Sequence, residues 1–441
     1  MKRIFALILA LTLLSSLVAC QAGGDETTAP ESESQETLAP ETEPVADESQ
    51  ATPDTEDDET EVKLDIEKIK TVTDEKNNKR ISSQYMMGCV YGIYDKDGEL
   101  LSSALGYSDL AGTKEMKTDA IFRMASMTKP ITGVAVMQLY EKGLIDLDAP
   151  ISKWFPAFET MLIAEKIENK QVVKVRKATV QLTPRMLLSH CNGLGVGDVA
   201  NLHNLRAKTL AESVNNYSTD VLAFEPTTTT GYSATYAFDV LARIVEIESG
   251  MPYEMYVQRY IFDPLGMVDT TYLPSDEQLP RIVDFIATKN STLSMGSISA
   301  KSGFAGYDDG TVGGGWGLFS TLDDYSRFAR MLLRGGELDG VRILKEETVE
   351  LMATVNQLSV AANMSSTQNW GLSVRVREKT TSSQPLSAGS YGWSGAYGTH
   401  FWVDPELGYV AIYMLNLSGA GGSGAPTVSE FESCVASGVI K

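Results

Sequence analysis

The alternation of apolar and polar residues near the start of the folded region predicts a β-hairpin. Apolar runs occupy residues 88–94 and 100–107, and the stretch between them reads Asp-Lys-Asp-Gly-Glu. Asp-Gly between two such runs is a hairpin signal, because glycine reaches the backbone angles that tight turns require. Strand-like runs return near the other end of the chain, at 370–376, 400–403 and 409–415. We therefore expect strands from both chain ends to meet.

Helical spacing of apolar residues dominates the middle of the chain. One helix is predicted to begin near Ser126 and to end near Lys142, with Gly143 as its stop signal. Further helices are expected over 236–249, 322–334 and 428–436. Strands at both ends with helices between them predict an α+β fold, in which both chain ends build one sheet flanked by helices and a mainly helical subdomain is inserted.

The first nineteen residues have the layout of a signal peptide. Lys2 and Arg3 precede an apolar run over residues 4–17, which is too short to span a bilayer comfortably. The run leads into Leu-Val-Ala-Cys, which ends at Cys20 and resembles the bacterial lipobox. This resemblance implies cleavage before Cys20, a lipid on Cys20, and an extracytoplasmic lipoprotein of the bacterial cell membrane. An ordinary signal peptide with an incidental cysteine is the alternative.

Residues 20–65 are expected to be the lipidated cysteine and a disordered acidic tether, followed by a folded domain over 66–441. Fifteen Asp and Glu residues and no Lys or Arg lie between Asp25 and Glu61. So few apolar residues cannot offset the entropy of ordering the segment. The net charge of −21 is therefore concentrated here, because the chain from Val62 onward has 35 basic and 43 acidic residues. No basic cluster suggests a nucleic-acid partner.

The cysteine and histidine content gives no indication of a metal site. Cys89, Cys191 and Cys434 remain besides Cys20, so at most one disulfide can form among them. The chain has three histidines and neither a His-Glu-x-x-His nor a Cys-x-x-Cys motif. We therefore predict no metal and no cofactor.

Ser126 and Lys129 are the candidate catalytic pair. They lie three residues apart at a predicted helix start, which places both side chains on one face. A serine hydroxyl needs a base within hydrogen-bonding reach, and an unprotonated lysine can serve. Ser-x-x-Lys alone is weak evidence, since a chain of this length matches it by chance.

Three further segments, which follow one another along the chain, make the assignment of Ser126 and Lys129 as the catalytic pair more specific. Residues 121–129, with the Ser-x-x-Lys motif, resemble the nucleophile segment of the serine β-lactamase, penicillin-binding protein and esterase superfamily. Residues 187–194, 313–321 and 393–405 resemble its Leu-Leu-Ser-His-Thr-Ser-Gly-Leu signature, its glycine-rich turn and its C-terminal strand motif. The resemblance covers about residues 80–436 and implies a β-lactamase-like fold with an antiparallel sheet, and Ser126 as nucleophile.

The resemblance also implies the remaining site residues. Tyr232 lies where the superfamily has the tyrosine of a Tyr-x-Asn motif, and it would shuttle a proton together with Lys129; Tyr236 is the fallback. The backbone N–H groups of Ser126 and Ala396 would form the oxyanion hole. The predicted substrate-binding residues are Trp393, Ser394 and Gly395.

Two departures from the superfamily pattern favour esterase activity. Ala234 replaces the amide of Tyr-x-Asn, and Trp393-Ser394-Gly395 replaces the Lys-Thr-Gly that binds β-lactam and peptide carboxylates. The pattern is similar to the esterase-leaning branch, class C-like, and indicates uncharged acyl substrates. A thiol–imidazole pair of His190 and Cys191 is not expected, because sequence neighbours do not face each other on a helix.

The predicted function is therefore a secreted, membrane-tethered serine hydrolase that forms an acyl-enzyme with an ester or amide, esters being favoured. One alternative is a cell-wall D-amino-acid peptidase or transesterase that binds penicillin and acts on cell-wall peptides. The other alternative is a non-catalytic receptor for cell-wall fragments or antibiotics. A persistent adduct on Ser126 without turnover would distinguish the receptor from the enzymes.

Overall fold

The computed structural model describes residues 64–440 except for 203, 204, 206, 290, 291, 305, 307, 356, 357, 359–364 and 423. Residues 1–63 lie outside the described residues, and with them the predicted signal peptide (1–19), the lipidated Cys20 and all of the predicted acidic tether (20–65) except its last two residues. None of the helices in the described ranges combines the length and the hydropathy needed to cross a membrane.

The order of the elements begins with a helix, passes through a helix-rich middle and returns to strands before a last helix. The helices are α1 (Ile66–Ser82), α2 (Thr128–Glu141), α3 (Pro184–Leu188), α4 (Leu210–Tyr217), α5 (Tyr236–Ser249), α6 (Tyr253–Val257), α7 (Asp263–Leu265), α8 (Leu322–Leu333), α9 (Glu346–Ala353) and α10 (Pro426–Ser437). The strands are β1 (Gly88–Asp95), β2 (Glu99–Gly106), β3 (Phe122–Arg123), β4 (Leu162–Glu168), β5 (Gln171–Lys177), β6 (Val221–Leu222), β7 (Ile286–Lys289), β8 (Thr292–Met295), β9 (Phe319–Ser320), β10 (Glu337–Leu338), β11 (Val341–Arg342), β12 (Gln368–Trp370), β13 (Arg375–Arg377), β14 (Tyr391–Ser394), β15 (His400–Asp404) and β16 (Tyr409–Met414).

The main sheet joins the two ends of the chain. Its seven strands are antiparallel and run in the order β12-β13-β14-β15-β16-β1-β2. β1 pairs with β16, so that Val90 lies opposite Met414. The predicted hairpin is confirmed as β1–β2, and the α+β fold with an antiparallel sheet from both chain ends is confirmed.

Both faces of this sheet are covered, as β16 shows. Ile412 and Met414 belong to the core that includes residues of α2 and α8, whereas Ala411 and Tyr413 belong to the core that includes Phe431 of α10. Neighbouring side chains of a strand point to opposite faces, so a strand with helices on both sides is apolar throughout. Each large apolar side chain buried in this way stabilises the fold by about 1.5–3 kcal/mol.

The inserted middle is helical at its centre but also contains hairpins that the apolar pattern did not predict. α5 packs against α2, α3 and α4. β4 and β5 form a hairpin with β6 beside β4, and β7 and β8 form another. β5 reads Gln-Val-Val-Lys-Val-Arg-Lys. Its valines favour strand over helix, since their side chains are branched at Cβ.

The apolar run near Trp370 is two strands, and the prediction of one continuous strand was wrong. β12 ends at Trp370 and β13 begins at Arg375. Between them the N–H of Gly371 donates to the carbonyl of Val374 at 2.9 Å. Ser373 there has a φ of 65°, a left-handed conformation that ends an extended segment.

A buried carboxylate fixes α10 to the sheet. Glu432 is 5% exposed, and its Oε1 lies 3.3 Å from Nε2 of His400 and 3.7 Å from Nη2 of Arg375. Its Oε2 lies 3.7 Å from Nη2 of Arg377. Burial raises the pKa of Glu432, but the histidine and the arginines outweigh it and hold the pKa below its ordinary value. Removing one member of such a buried group leaves the others without compensation.

We predict that Glu432→Gln lowers the free energy of unfolding by about 3 kcal/mol, because the buried Arg377 and the partly buried Arg375 lose their counter-charge. Urea unfolding followed by circular dichroism measures this. The matched control is Glu430→Gln on the same helix, where the carboxylate pairs with Arg80 at 2.9 Å in a partly exposed position. The control is expected to cost less than about 1 kcal/mol. Equal losses for the two variants would contradict a structural role of the buried group.

Candidate active site

The segment that carries Ser126 is anchored from both sides. It follows β3 and forms a short turn, Ala125–Met127, that runs directly into α2. Ala125 has a φ of 46°, which bends the chain between strand and helix. Before the turn, the buried guanidinium of Arg123 donates to the carbonyls of Val283 and Ser302, each at 3.0 Å. These contacts hold the backbone of the nucleophile segment in a defined position.

Lys129 is fully buried, and its amino group contacts three different segments. Nζ donates to the carbonyl of Ala234 at 2.6 Å and to that of Gly315 at 2.9 Å. Nζ also lies 3.4 Å from Oγ of Ser126. The two carbonyls therefore occupy two of the directions around the nitrogen, and the third faces the serine.

Tyr232 is the third of the predicted catalytic side chains, and it contacts Ser126 directly. Its hydroxyl donates to Oγ of Ser126 at 2.7 Å, and Nζ of Lys129 lies 5.0 Å from the centre of its ring. The structure thus brings the three predicted catalytic side chains together. Tyr236, the fallback, instead stacks on Tyr217 in the core, with ring centres 3.7 Å apart.

The glycine-rich turn before β9 accepts a hydrogen bond from Lys129, and its glycines leave room for the amino group. A Cβ on Gly315 would lie 2.7 Å from Nζ of Lys129. Asp239 holds the turn, since its Oδ1 accepts from the N–H of Gly314 and its Oδ2 accepts from the hydroxyl of Tyr217, each at 2.9 Å. Burial raises the pKa of this carboxyl group to about 7. Asp239 also interacts electrostatically with Lys129, whose positive charge lowers the pKa of this carboxyl group.

The end of β14 lies against the nucleophile segment. A Cβ on Gly395 would lie 2.4 Å from the carbonyl oxygen of Met124, so only glycine permits this approach. The hydroxyl of Thr399 donates to the same carbonyl at 3.0 Å. Ala396, which follows Gly395, is exposed.

Ser126 and Ala396 are the residues whose backbone N–H groups are predicted to form the oxyanion hole. The N–H of Ser126 lies in a first helical turn, where backbone donors have no acceptor within the helix.

The predicted substrate-binding side chains divide between the two faces of β14. The ring of Trp393 packs 5.4 Å from that of Tyr232 and 4.5 Å from that of Trp370. Ser394 is the one whose side chain is not brought to the site: its Oγ bonds to Nδ1 of His400 at 2.8 Å, in a buried position. Alternation along the strand turns it away from the face that carries Trp393.

Sequence reasoning missed several residues around Tyr232. Trp370 stacks on Tyr232 with ring centres 6.2 Å apart, and no local pattern could show this contact between distant segments. His190 is fully buried, with its ring centre 4.8 Å from that of Tyr232. Its place in the Leu-Leu-Ser-His signature was the available signal. Its neighbour Cys191, like Cys89 and Cys434, is a free thiol, so the possible disulfide does not form.

These features are those of a serine hydrolase whose candidate nucleophile, Ser126, contacts a lysine and a tyrosine. The chain belongs to the Beta-lactamase family, which matches residues 73–427. It is 28% identical to Esterase EstB of Burkholderia gladioli over 404 residues, which cover 84% of this chain and 96% of the esterase.

Solved structures share the fold. EstCE1, described as a hydrolase with promiscuous acyltransferase activity, superposes with a TM-score of 0.69 at 20% identity, over 84% of this chain and 99% of EstCE1. Simvastatin synthase from Aspergillus terreus superposes with a TM-score of 0.68 at 20% identity, over 84% of this chain and 98% of the synthase. The recognised superfamily and the β-lactamase-like fold are confirmed, and the enzyme is esterase-like.

We predict that Gly315→Ala lowers kcat/KM for an ester by about 100-fold, because the new methyl group displaces the amine of Lys129 from the serine. Steady-state hydrolysis of p-nitrophenyl butyrate measures this. The control is Gly98→Ala in the β1–β2 turn, where a Cβ meets no atom within 4 Å; its activity is expected to equal that of the wild type. An unchanged kcat/KM for Gly315→Ala would show that the position of Lys129 does not govern turnover.

Proposed function

We propose that the chain is a carboxylesterase that hydrolyses uncharged esters through an acyl-enzyme on Ser126. The observation that carries the proposal is the placement of two proton-transferring groups on one hydroxyl. Tyr232 lies 2.7 Å and Lys129 lies 3.4 Å from Oγ of Ser126. A serine in this setting can lose its proton as it attacks a carbonyl carbon.

The surroundings of Lys129 support its role as base. In the neutral amine, the carbonyls of Ala234 and Gly315 take up both N–H groups, so the lone pair points at the hydroxyl of Ser126. Attack of Oγ on the ester carbon then passes the serine proton to Nζ. The negative oxygen of the tetrahedral intermediate would be bound by the N–H groups of Ser126 and Ala396.

Tyr232 would connect the two halves of the reaction. Its hydroxyl protonates the departing alkoxide and recovers a proton from Lys129, which releases the alcohol and leaves the acyl group on Ser126. Water then loses a proton to the same pair as it attacks the acyl carbon. The bond between Oγ of Ser126 and the acyl carbon then breaks, the Lys129–Tyr232 pair returns the proton to Oγ, and the carboxylic acid leaves, which restores the enzyme.

The residues near the serine favour esters without charge. Ala234 offers no side-chain amide for a substrate peptide, and Trp393 stands where the superfamily pattern has a lysine for carboxylates. The rings of Tyr232, Trp370 and Trp393 line this side of the site. Apolar walls with few polar groups are typical of pockets for uncharged ligands.

We predict that Ser126→Ala lowers hydrolysis of p-nitrophenyl butyrate by at least about 10⁴-fold, because the acyl-enzyme cannot form. Intact mass spectrometry should show a fluorophosphonate adduct on Ser126 of the wild type and no lasting adduct with a penicillin. Ser102→Ala, on the far edge of the sheet, serves as control and should retain full activity. Full activity of Ser126→Ala would exclude the mechanism.

The same measurement separates the alternatives. A stable penicilloyl adduct together with cleavage of a peptidoglycan stem peptide would favour the cell-wall peptidase or transesterase. A persistent adduct on Ser126 without turnover of any ester or peptide would favour the non-catalytic receptor.

We also propose that the enzyme is a secreted lipoprotein tethered to the outer face of the bacterial cell membrane through Cys20. The support is the sequence: Lys2 and Arg3, the apolar run and Leu-Val-Ala-Cys are followed by the acidic segment from Asp25 to Glu61. Self-repulsion among acidic residues favours an extended chain, and we propose that this segment is the tether between the lipid and the hydrolase.

We predict that the full chain, produced in a bacterial host with its own leader, incorporates radiolabelled palmitate and sediments with the membrane. Cys20→Ser should abolish both the label and the sedimentation, because the thiol that would carry the lipid is absent. The matched control is Cys434→Ser, a residue inside the folded domain, which should keep both. Label that persists in Cys20→Ser would contradict the anchor.

A further inference from the structure

His190 touches the segment of Tyr232 on both sides of the tyrosine. The N–H of Gly231 donates to the carbonyl oxygen of His190 at 2.9 Å. The N–H of Ser233 donates to Nδ1 of the His190 ring at 3.2 Å. The residues directly before and directly after Tyr232 are therefore both bound by one residue of a distant segment.

The ring of His190 also supports the side chain of Tyr232. Ring centres lie 4.8 Å apart for Tyr232, 4.2 Å for Trp370 and 5.4 Å for Phe238. Tyr232 itself is 37% exposed, so the protein encloses its ring only in part. His190 and Trp370 provide part of this packing.

The state of the imidazole suits it as an acceptor. Because Nδ1 accepts a hydrogen bond from a backbone N–H, the neutral ring carries its proton on Nε2. His190 is fully buried, and burial lowers the pKa of its imidazole well below the ordinary value, as does a positive charge on Lys129. The ring therefore stays neutral and Nδ1 stays available to Ser233 at neutral pH.

The backbone of His190 is unusual in a way that fits this placement. Its φ is 57°, a left-handed conformation just after α3 that asparagine tolerates better than most residues. This turn directs the carbonyl oxygen and the ring toward the same segment. Ser233 is fully buried, so its N–H would lack any acceptor if Nδ1 were removed.

We propose that His190 is a positioning residue that holds the hydroxyl of Tyr232 on Ser126 by binding both neighbours of the tyrosine in the chain. This inference rests on the role of Tyr232 in the proposed function. His190 touches no reacting atom, and its effect on the reaction passes through the backbone of residues 231–233.

Two substitutions separate the acceptor from the ring. His190→Asn keeps an acceptor on the same branch of the side chain and tolerates the positive φ, whereas His190→Phe keeps an aromatic ring and has no acceptor. For p-nitrophenyl butyrate, kcat should fall less than about 5-fold in the Asn variant and about 100-fold in the Phe variant, with KM changed less than about 3-fold. Equal losses in the two variants would overturn the proposal.

A double-mutant cycle with Tyr232→Phe provides a readout that general destabilisation would not change. Without the tyrosine hydroxyl there is nothing left to position, so His190→Phe should then lower the remaining kcat less than about 3-fold. A full additional 100-fold loss on this background would refute positioning. Melting temperatures of all variants identify any loss that comes from unfolding.

His190→Gly is the second test if the Phe variant does not accumulate as folded protein. Glycine adopts the positive φ without strain and leaves a cavity of the size of imidazole. Added imidazole should then raise kcat at least about 10-fold, as a free acceptor for Ser233; no response would overturn the proposal. Failure of the proposed function is distinct, because the wild type itself would then show neither ester turnover nor a fluorophosphonate adduct.

Discussion

The amino group of Lys129 is the point on which the arrangement of the site depends. It has no contact with solvent, and an amine in such a position costs several kcal/mol unless its N–H groups find acceptors. The acceptors come from Ala234, ahead of α5, and from Gly315, ahead of β9. Satisfying one buried nitrogen therefore fixes three distant segments relative to each other, and Ser126 lies where they meet.

The packing around Lys129 and Ser126 restricts which residues the neighbouring segments can carry. Glycine is needed at 315 to admit the lysine and at 395 to bring β14 against the nucleophile segment. Both glycines were part of the resemblance, but the atoms they make room for are visible only in the structure. The glycines of the family motifs mark places where two segments approach closely, whereas the serine and lysine mark the reacting groups. The turns are therefore as informative about the site as the serine and lysine are.

Sequence reasoning succeeded where the determinant is local. The Asp-Gly turn, the helix from Tyr236 to Ser249 and the spacing of Ser126 and Lys129 follow from neighbouring residues. It failed at β12 and β13, where a turn was read as strand, and at the hairpins of the middle. It also discounted His190, because the value of that side chain depends on Gly231 and Ser233, some forty residues further along the chain. Contacts across such separations leave no periodicity to detect.

The meeting of the chain ends has a mechanical consequence. Leu64 bridges Val439, and the N–H of Asp65 donates to the carbonyl of Gly438 at 2.7 Å. A pulling force applied at residue 64 would load this contact, α1 and α10 first. Those helices cover the face of the sheet opposite to Trp393 and Lys129. Tension at the amino end would therefore be borne by helices that supply none of the side chains packed around Ser126.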